Sequence, residues 1–352
     1  MFLFDIYPFN TSPMRNISFF LLVVCISVLT SCSTKSSSEA PRIVIDSTLQ
    51  SIVAHHVSSV SKEIQPQWGL GILLDMQSNT ICANYSTDTT QDYAYTPMQL
   101  GTLMEPFTLL AILNTGKVPL DTIIPDEIVR WRTSKTDGSK TKKKQAVMVA
   151  LPDLVASSDG YVINNLLHDV YSESVQELEA FYTTIGLPDR PDSLESISMS
   201  LLHRRCAMLD IAPVKALSLY AQLALRQLPC DTAAQRIICQ GLHDVVWNDE
   251  LGTASINPWG SPKAQSNIVP IAGKTGAISI YEDGEYNPRR HLISFVGYFP
   301  EDDPRYACLV MFNAPSRFPY DAGTNCGGCV RKIAEEIWLL RETDSATLTS
   351  KL

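Results

Sequence analysis

Apolar residues recur at helical spacing over 44–64, and the stretch is entered through Asp46-Ser47-Thr48, whose short polar side chains suit an N-cap. Two runs then change period. Residues 69–76 are almost continuously apolar, 80–85 form a second run, and Gln77-Ser78-Asn79 between them reads as a hairpin link. Pro106 opens an apolar helix over 106–113, where a first-turn proline is tolerated. Helical patterns follow over 154–187 (with Gly186 as a cap), 211–228 and 233–246. Three strands are predicted next, 269–281, 291–299 and 306–313, punctuated by Asp283-Gly284 and Asp302-Asp303-Pro304. A last helix over 329–340 places Ile333, Ile337 and Leu340 on one face.

The order is strand pair, long helical insertion, three strands and a terminal helix. The two strand groups can join in one five-stranded antiparallel sheet flanked by helices, an α+β architecture with an inserted all-helical subdomain. The late strands are apolar on both faces, which predicts a sheet covered on both sides. The run 135–145 holds five lysines among Ser, Thr, Asp and Gly, and reads first as a solvated loop, second as a basic ligand patch.

Length and charge narrow the function. With 352 residues, 45% of them hydrophobic, the chain can bury a large core. A net charge of −9 argues against a nucleic-acid partner, since phosphate contacts need a basic surface. Met14-Arg15-Asn16 followed by an apolar stretch over 17–29 has the form of an export signal, too short to span a bilayer comfortably. Leu29-Thr30-Ser31-Cys32 resembles a bacterial lipobox, which would make Cys32 the lipidated N-terminus of an envelope protein. A plain secretory signal or an uncleaved anchor is the competing reading. The expected organisation is a signal peptide over 1–31 (with Met14 as an alternative start), Cys32 and a tether over 32–41, one domain over 42–341, and a tail over 342–352.

Nine cysteines and six histidines offer little chemistry of their own. Cys82, Cys206, Cys230, Cys239 and Cys308 lie in apolar surroundings and read as small buried hydrophobes. Cys326-Gly327-Gly328-Cys329 has CxxC spacing, but no second CxxC and no thioredoxin-like pattern accompanies it. A local disulfide, a redox pair and a half-zinc site stay open there. No histidine pair has helical metal-ligand spacing, so neither a metal nor another cofactor is expected.

The segment richest in chemistry is Ile271-Ala272-Gly273-Lys274-Thr275-Gly276-Ala277. An apolar approach, then a cation, a hydroxyl and a glycine, suits an edge strand against which a ligand can lie, because glycine removes the Cβ where a backbone must come close. Four other stretches are suggestive beside it: Val44-Ile45-Asp46-Ser47-Thr48-Leu49-Gln50, Glu105-Pro106-Phe107-Thr108-Leu109-Leu110, Leu251-Gly252-Thr253-Ala254, and Ile293-Ser294-Phe295-Val296-Gly297-Tyr298-Phe299-Pro300. In this order, with the hairpin Gly71-Ile72-Leu73-Leu74-Asp75 through Ile81-Cys82-Ala83, they resemble the transpeptidase domain of penicillin-binding proteins, enzymes that read D-Ala-D-Ala and crosslink peptidoglycan.

That resemblance implies three motifs, and here two of them are altered. The first, Ser-x-x-Lys at a helix start, puts a base one turn from its nucleophile. The aligned residues are Thr102-Leu103-Met104-Glu105: a hindered alcohol and an inverted charge. The second, Ser-x-Asn, aligns with Ser157-Ser158-Asp159, so that Ser157 persists and a carboxylate replaces the amide. The third persists as Lys274-Thr275-Gly276, with Ala277 where Thr or Ser is usual; the backbone N–H of Ala277 could still serve an oxyanion hole. Ser59/Lys62 and Ser139/Lys142 also fit Ser-x-x-Lys literally, but neither adjoins the Pro-Phe-Thr helix.

The catalytic set implied is thus Thr102, Glu105, Ser157, Asp159 and Lys274, with Thr275, Gly276 and Ala277 lining the substrate strand. With acids in two of the three motifs, Lys274 gains carboxylate partners, and a direct Glu105–Lys274 contact of about 3–4 Å is expected. The function implied is a non-acylating pseudoenzyme that binds a peptidoglycan stem peptide or a cell-wall synthesis protein. A slow transpeptidase or carboxypeptidase using Thr102, with β-lactam binding, is one alternative. A scaffold for protein interaction alone is another.

Overall fold

The computed structural model describes residues 40–133, 140–187, 209–317 and 321–349. The expected signal, Cys25, Cys32, Ser139 and Cys206 lie outside them, so those readings are expectations still.

A six-stranded sheet forms the centre, in the order β1 (Arg42–Ile43), β3 (Thr80–Ser86), β2 (Trp68–Asp75), β10 (Tyr306–Asn313), β9 (Glu285–Phe299) and β8 (Ala272–Glu282). Strand β1 (Arg42–Ile43) runs parallel to β3 and makes the sheet six strands rather than the expected five. Two residues carry no periodicity to read. Helix α1 (Ser47–Ile64) is capped by Asp46, whose carboxylate accepts the backbone N–H groups of Thr48 and Leu49. Strands β2 (Trp68–Asp75) and β3 (Thr80–Ser86) form the expected hairpin; Asp75 turns it by accepting the N–H groups of Gln77 and Ser78.

The insertion begins with β4 (Met98–Gln99), a 3₁₀ turn over Gly101–Met104, and α2 (Glu105–Asn114) with its proline in the first turn. The long hairpin of β5 (Ile123–Thr133) and β6 (Lys140–Ala150) follows. The insertion therefore contains a two-stranded ribbon as well as helices, and lysines expected on a loop sit on β6. The run Thr141-Lys142-Lys143-Lys144-Gln145 is polar at every position, so it carries no period-2 signal. The helical pattern over 154–187 divides into α3 (Leu151–Ser157), α4 (Gly160–Tyr171) and α5 (Val175–Thr184). Short β7 (Asp210–Ile211) pairs with β4, and α6 (Pro213–Ala224) and α7 (Thr232–Trp247) complete the insertion.

Strands β8 (Ala272–Glu282), β9 (Glu285–Phe299) and β10 (Tyr306–Asn313) return antiparallel, and α8 (Gly328–Thr349) closes the chain after a π turn over Gly323–Gly327. Helices α1 and α8 pack together against the sheet, while α6 and α7 pack against it from the insertion. Seven of the eight residues of β10 are buried, as a sheet covered on both faces requires. The order leaves β8 at an edge, and on that edge lies Lys274-Thr275-Gly276.

Candidate functional site

The 3₁₀ turn Gly101–Met104 lies against β8. Gly101 has φ +58°, and a Cβ there would stand 2.7 Å from the Cβ of Ile278, so backbone freedom and close approach both select glycine. Gly276 is held equally tightly: a Cβ on it would come within 2.8 Å of the Cβ of Leu103. Tyr220 of α6 donates its hydroxyl to the Leu103 carbonyl and packs edge-on against Phe107, ring centroids 5.1 Å apart. The turn is thereby pinned between the sheet edge and the insertion. Thr102 emerges from it half-buried, and its Oγ1 accepts the Ala277 N–H at 3.0 Å. The Ala277 N–H, expected from the sequence to serve an oxyanion hole, is engaged by the threonine itself.

Glu105 begins α2 one turn on, and its Oε2 lies 3.4 Å from Lys274 Nζ. The expected contact is present. It is an ion pair without hydrogen-bond geometry at that oxygen. Lys274 is completely buried and Glu105 is 12% exposed. Burial pushes the Glu105 carboxyl up from its ordinary range, while the Lys274 charge draws it back. Burial likewise pushes the Lys274 amine down, opposed by Glu105. Each group is expensive to ionise alone, and the other makes ionisation tolerable.

The second motif falls one residue later than expected. Ser157 ends α3 and returns its hydroxyl to the Asp153 carbonyl at 2.8 Å, which keeps it from Lys274. Ser158, left-handed at φ +56°, accepts from Lys274 Nζ instead. Lys274 also donates to the Thr275 carbonyl at 3.1 Å. Asp159 does not join the ion pair. It caps α4, accepting the Val162 N–H at 3.0 Å, and its carboxyl is raised first by burial and further by Asp126 of β5. In the frame Ser158-Asp159-Gly160, the residue facing the pocket at the third position is glycine. A Cβ on Gly160 would meet Glu105 Oε1 at 2.9 Å, so the glycine makes room for the glutamate. Sequence alignment missed both Ser158 and Gly160; the break between two helices at Ser158-Asp159-Gly160 was the available signal.

Behind the strand, Thr275 Oγ1 shares a hydrogen bond with Thr253 Oγ1 at 2.7 Å, and the Thr253 N–H reaches the Ala156 carbonyl at 3.2 Å. Lys263 ties Thr253 to the start of the π turn, donating to its carbonyl at 3.1 Å and pairing with Asp321 at 3.3 Å. The Gly252-Thr253-Ala254 segment thus braces β8 against the end of α3. Ser59 and Lys62 lie on α1, which packs on β2, β3 and α8 and not on β8.

Among the described residues, no group of three or more His, Cys, Asp or Glu is arranged to hold a metal ion. Cys82, Cys239, Cys308, Cys326 and Cys329 are buried thiols, and Cys326 and Cys329 are not joined. Burial pushes the thiols of Cys82 and Cys329 to about 12, so neither forms a thiolate readily. His56 and His243 are paired with Glu336 and Glu301. No described helix is long and apolar enough to cross a membrane.

A sheet whose edge strand carries Lys-Thr-Gly beside the buried start of a helix, with a serine from a helix junction closing on the lysine, defines the class of penicillin-recognising acyltransferase folds. The sequence model of the penicillin-binding protein transpeptidase domain matches residues 69–335, and the chain belongs to that family, whose members work in the cell envelope on cell-wall synthesis. Stage V sporulation protein D of Bacillus subtilis is 32% identical over 66 residues, 19% of this chain but only 10% of that protein. Among solved structures, a peptidoglycan glycosyltransferase from Burkholderia ambifaria aligns with TM-score 0.65 at 18% identity, covering 85% of this chain and 97% of that one. Penicillin-binding protein 3 of Mycobacterium tuberculosis complexed with aztreonam aligns with TM-score 0.66 at 16% identity, covering 85% and 78%. At such identities the likeness speaks for the fold.

Proposed function

We propose that this chain is a lipid-anchored envelope protein whose transpeptidase-like pocket binds a peptidoglycan stem peptide or a cell-wall synthesis protein without acylating. One observation carries the reading: Glu105 stands at 3.4 Å from Lys274, and the resemblance assigns its place to the first-motif lysine that would take the nucleophile's proton. The nucleophile's place is held by Thr102, which is β-branched and already engaged by the Ala277 N–H. An attack by Thr102 would need a base to remove its proton and a vacant oxyanion donor. Glu105 is paired with Lys274, and the donor is taken. A Lys274 charge neutralised by Glu105 also greets a substrate carboxylate less strongly than an unpaired cation would.

The discriminating experiment is labelling with a fluorescent penicillin, wild type beside Thr102→Ala. No covalent signal in either is expected, together with retention on purified sacculi or capture of a synthesis protein. A covalent signal that vanishes in Thr102→Ala establishes an active transpeptidase or carboxypeptidase instead. Absence of both labelling and sacculus retention leaves the interaction scaffold. Anchoring through Cys32 is tested by incorporation of radiolabelled fatty acid, which Cys32→Ala abolishes.

A further inference from the structure

A cleft of about 430 Å³ opens where the β2–β3 turn, the segment after β9 and the outer half of α8 meet. It shares no lining residue with the Lys274 pocket. Its volume falls in the range of small-ligand sites, roughly 300–1,000 Å³. The lining divides by chemistry. Arg305 and Arg341 supply cations, Asp303 and Glu342 supply carboxylates, Trp338 supplies an indole, and Gln77 supplies an amide.

The two guanidiniums are held in place. Both lie over the ring of Tyr306, Arg305 at 5.7 Å and Arg341 at 5.5 Å from its centroid. Arg305 is fixed further by Asp75, 2.7 Å away, yet its Nε–H is buried and has no acceptor. The outer nitrogens of the two guanidiniums are the ones a ligand oxygen would meet. On the acidic side, Trp338 donates its indole N–H to Glu342 at 3.0 Å, which orients both. The ring face beside a carboxylate suits an ammonium group. A second cavity of about 530 Å³ shares Arg305 and adds one cation, Arg42, and two acids, Asp46 and Asp75.

A simple anion would meet Asp303 and Glu342, and a simple cation would meet the arginines. We propose that this cleft binds a zwitterion, an amino acid or short peptide with a free carboxylate and a free ammonium. The carboxylate lies on Arg305 and Arg341, the ammonium on Glu342, Asp303 and the Trp338 face. The assignment is independent of what occupies the Lys274 pocket.

Isothermal titration with alanyl-alanine, N-acetyl-alanyl-alanine and alanyl-alanine amide tests it. Saturable binding of the free dipeptide is expected, about tenfold weaker or worse when either end is blocked. Arg341→Met, at an exposed position that leaves the Arg305–Asp75 pair intact, is expected to weaken binding to a similar degree, and Asp303→Asn to reduce the preference for the free amine. Equal binding of a blocked dipeptide, unchanged binding in Arg341→Met, or no saturable binding would each overturn the proposal.

Discussion

Glu105→Ala is the sharpest perturbation available, because it leaves a wholly buried lysine with no carboxylate beside it. Removing one partner of a buried pair typically costs about 3–5 kcal/mol. A ceiling comes from the lysine itself. An amine with an ordinary value of 10.5 can escape a hostile site by losing its proton, and at pH 7 that work is about 5 kcal/mol. The two figures agree, so a loss of roughly 3–5 kcal/mol is expected at pH 7. Urea unfolding at unchanged m-value measures it. A parallel NMR titration of the Lys274 side chain is expected to show its amine lowered further than in the wild type.

The pH dependence has a definite sign. The folded-state value of Lys274 is depressed, so between that value and 10.5 the unfolded chain binds more protons than the folded one, and stability rises with pH. Without Glu105 this window extends to lower pH. In the wild type, the carboxylate is itself expensive to bury once Lys274 has lost its charge, since burial raises its pKa. Both effects shrink the deficit of Glu105→Ala as pH approaches 10.5. Replacing both residues by apolar ones of similar volume is expected to recover most of the stability. If Glu105→Ala leaves both the urea midpoint and the Lys274 titration untouched, the ion-pair account of this pocket is wrong.

Gly160→Ala is expected to destabilise the wild type, because its Cβ lands 2.9 Å from Glu105 Oε1, but to be nearly neutral in a Glu105→Ala background; a double-mutant cycle by urea unfolding measures the coupling. Gly276→Ala drives a methyl to 2.8 Å from Leu103 Cβ and should lower stability by about 1–3 kcal/mol, read as a fall in melting temperature. A thiol reagent such as Ellman's should leave Cys82, Cys308, Cys326 and Cys329 unreacted in the folded protein and titrate them in urea, since burial holds each thiol protonated; fast native-state labelling would contradict that burial.

What was legible in the sequence was whatever a local period or a turn residue encodes. The Asp46 cap, the Gln77-Ser78-Asn79 link and the span of β10 are read directly, because each depends on neighbours in the chain. The sheet's sixth strand was hidden because two residues, Arg42–Ile43, have no pattern and pair only through β3. The β5–β6 ribbon was hidden because its lysines break the alternation that a half-buried strand shows. Thr102 and Glu105 come beside Lys274 because each sits in a rigid element, the first two about the start of α2 and the lysine on an edge strand. The second motif slipped by one residue. Ser157 and Ser158 are chemically alike, and which one faces Lys274 is decided by where α3 ends, not by residue type.

That slip changes the meaning of the pocket. With Asp159 aligned at the third position, two carboxylates were expected around one lysine. The structure supplies one, because Asp159 turns to cap α4 and faces Asp126 instead. Glu105 and Gly160 then form a pair: a buried carboxylate requires the cation of Lys274 for charge and the bare Cα of Gly160 for space. A Cβ at 160 would take the space that Glu105 Oε1 occupies. Glu105, Lys274 and Gly160 thus answer one another in charge and in space within the chain itself.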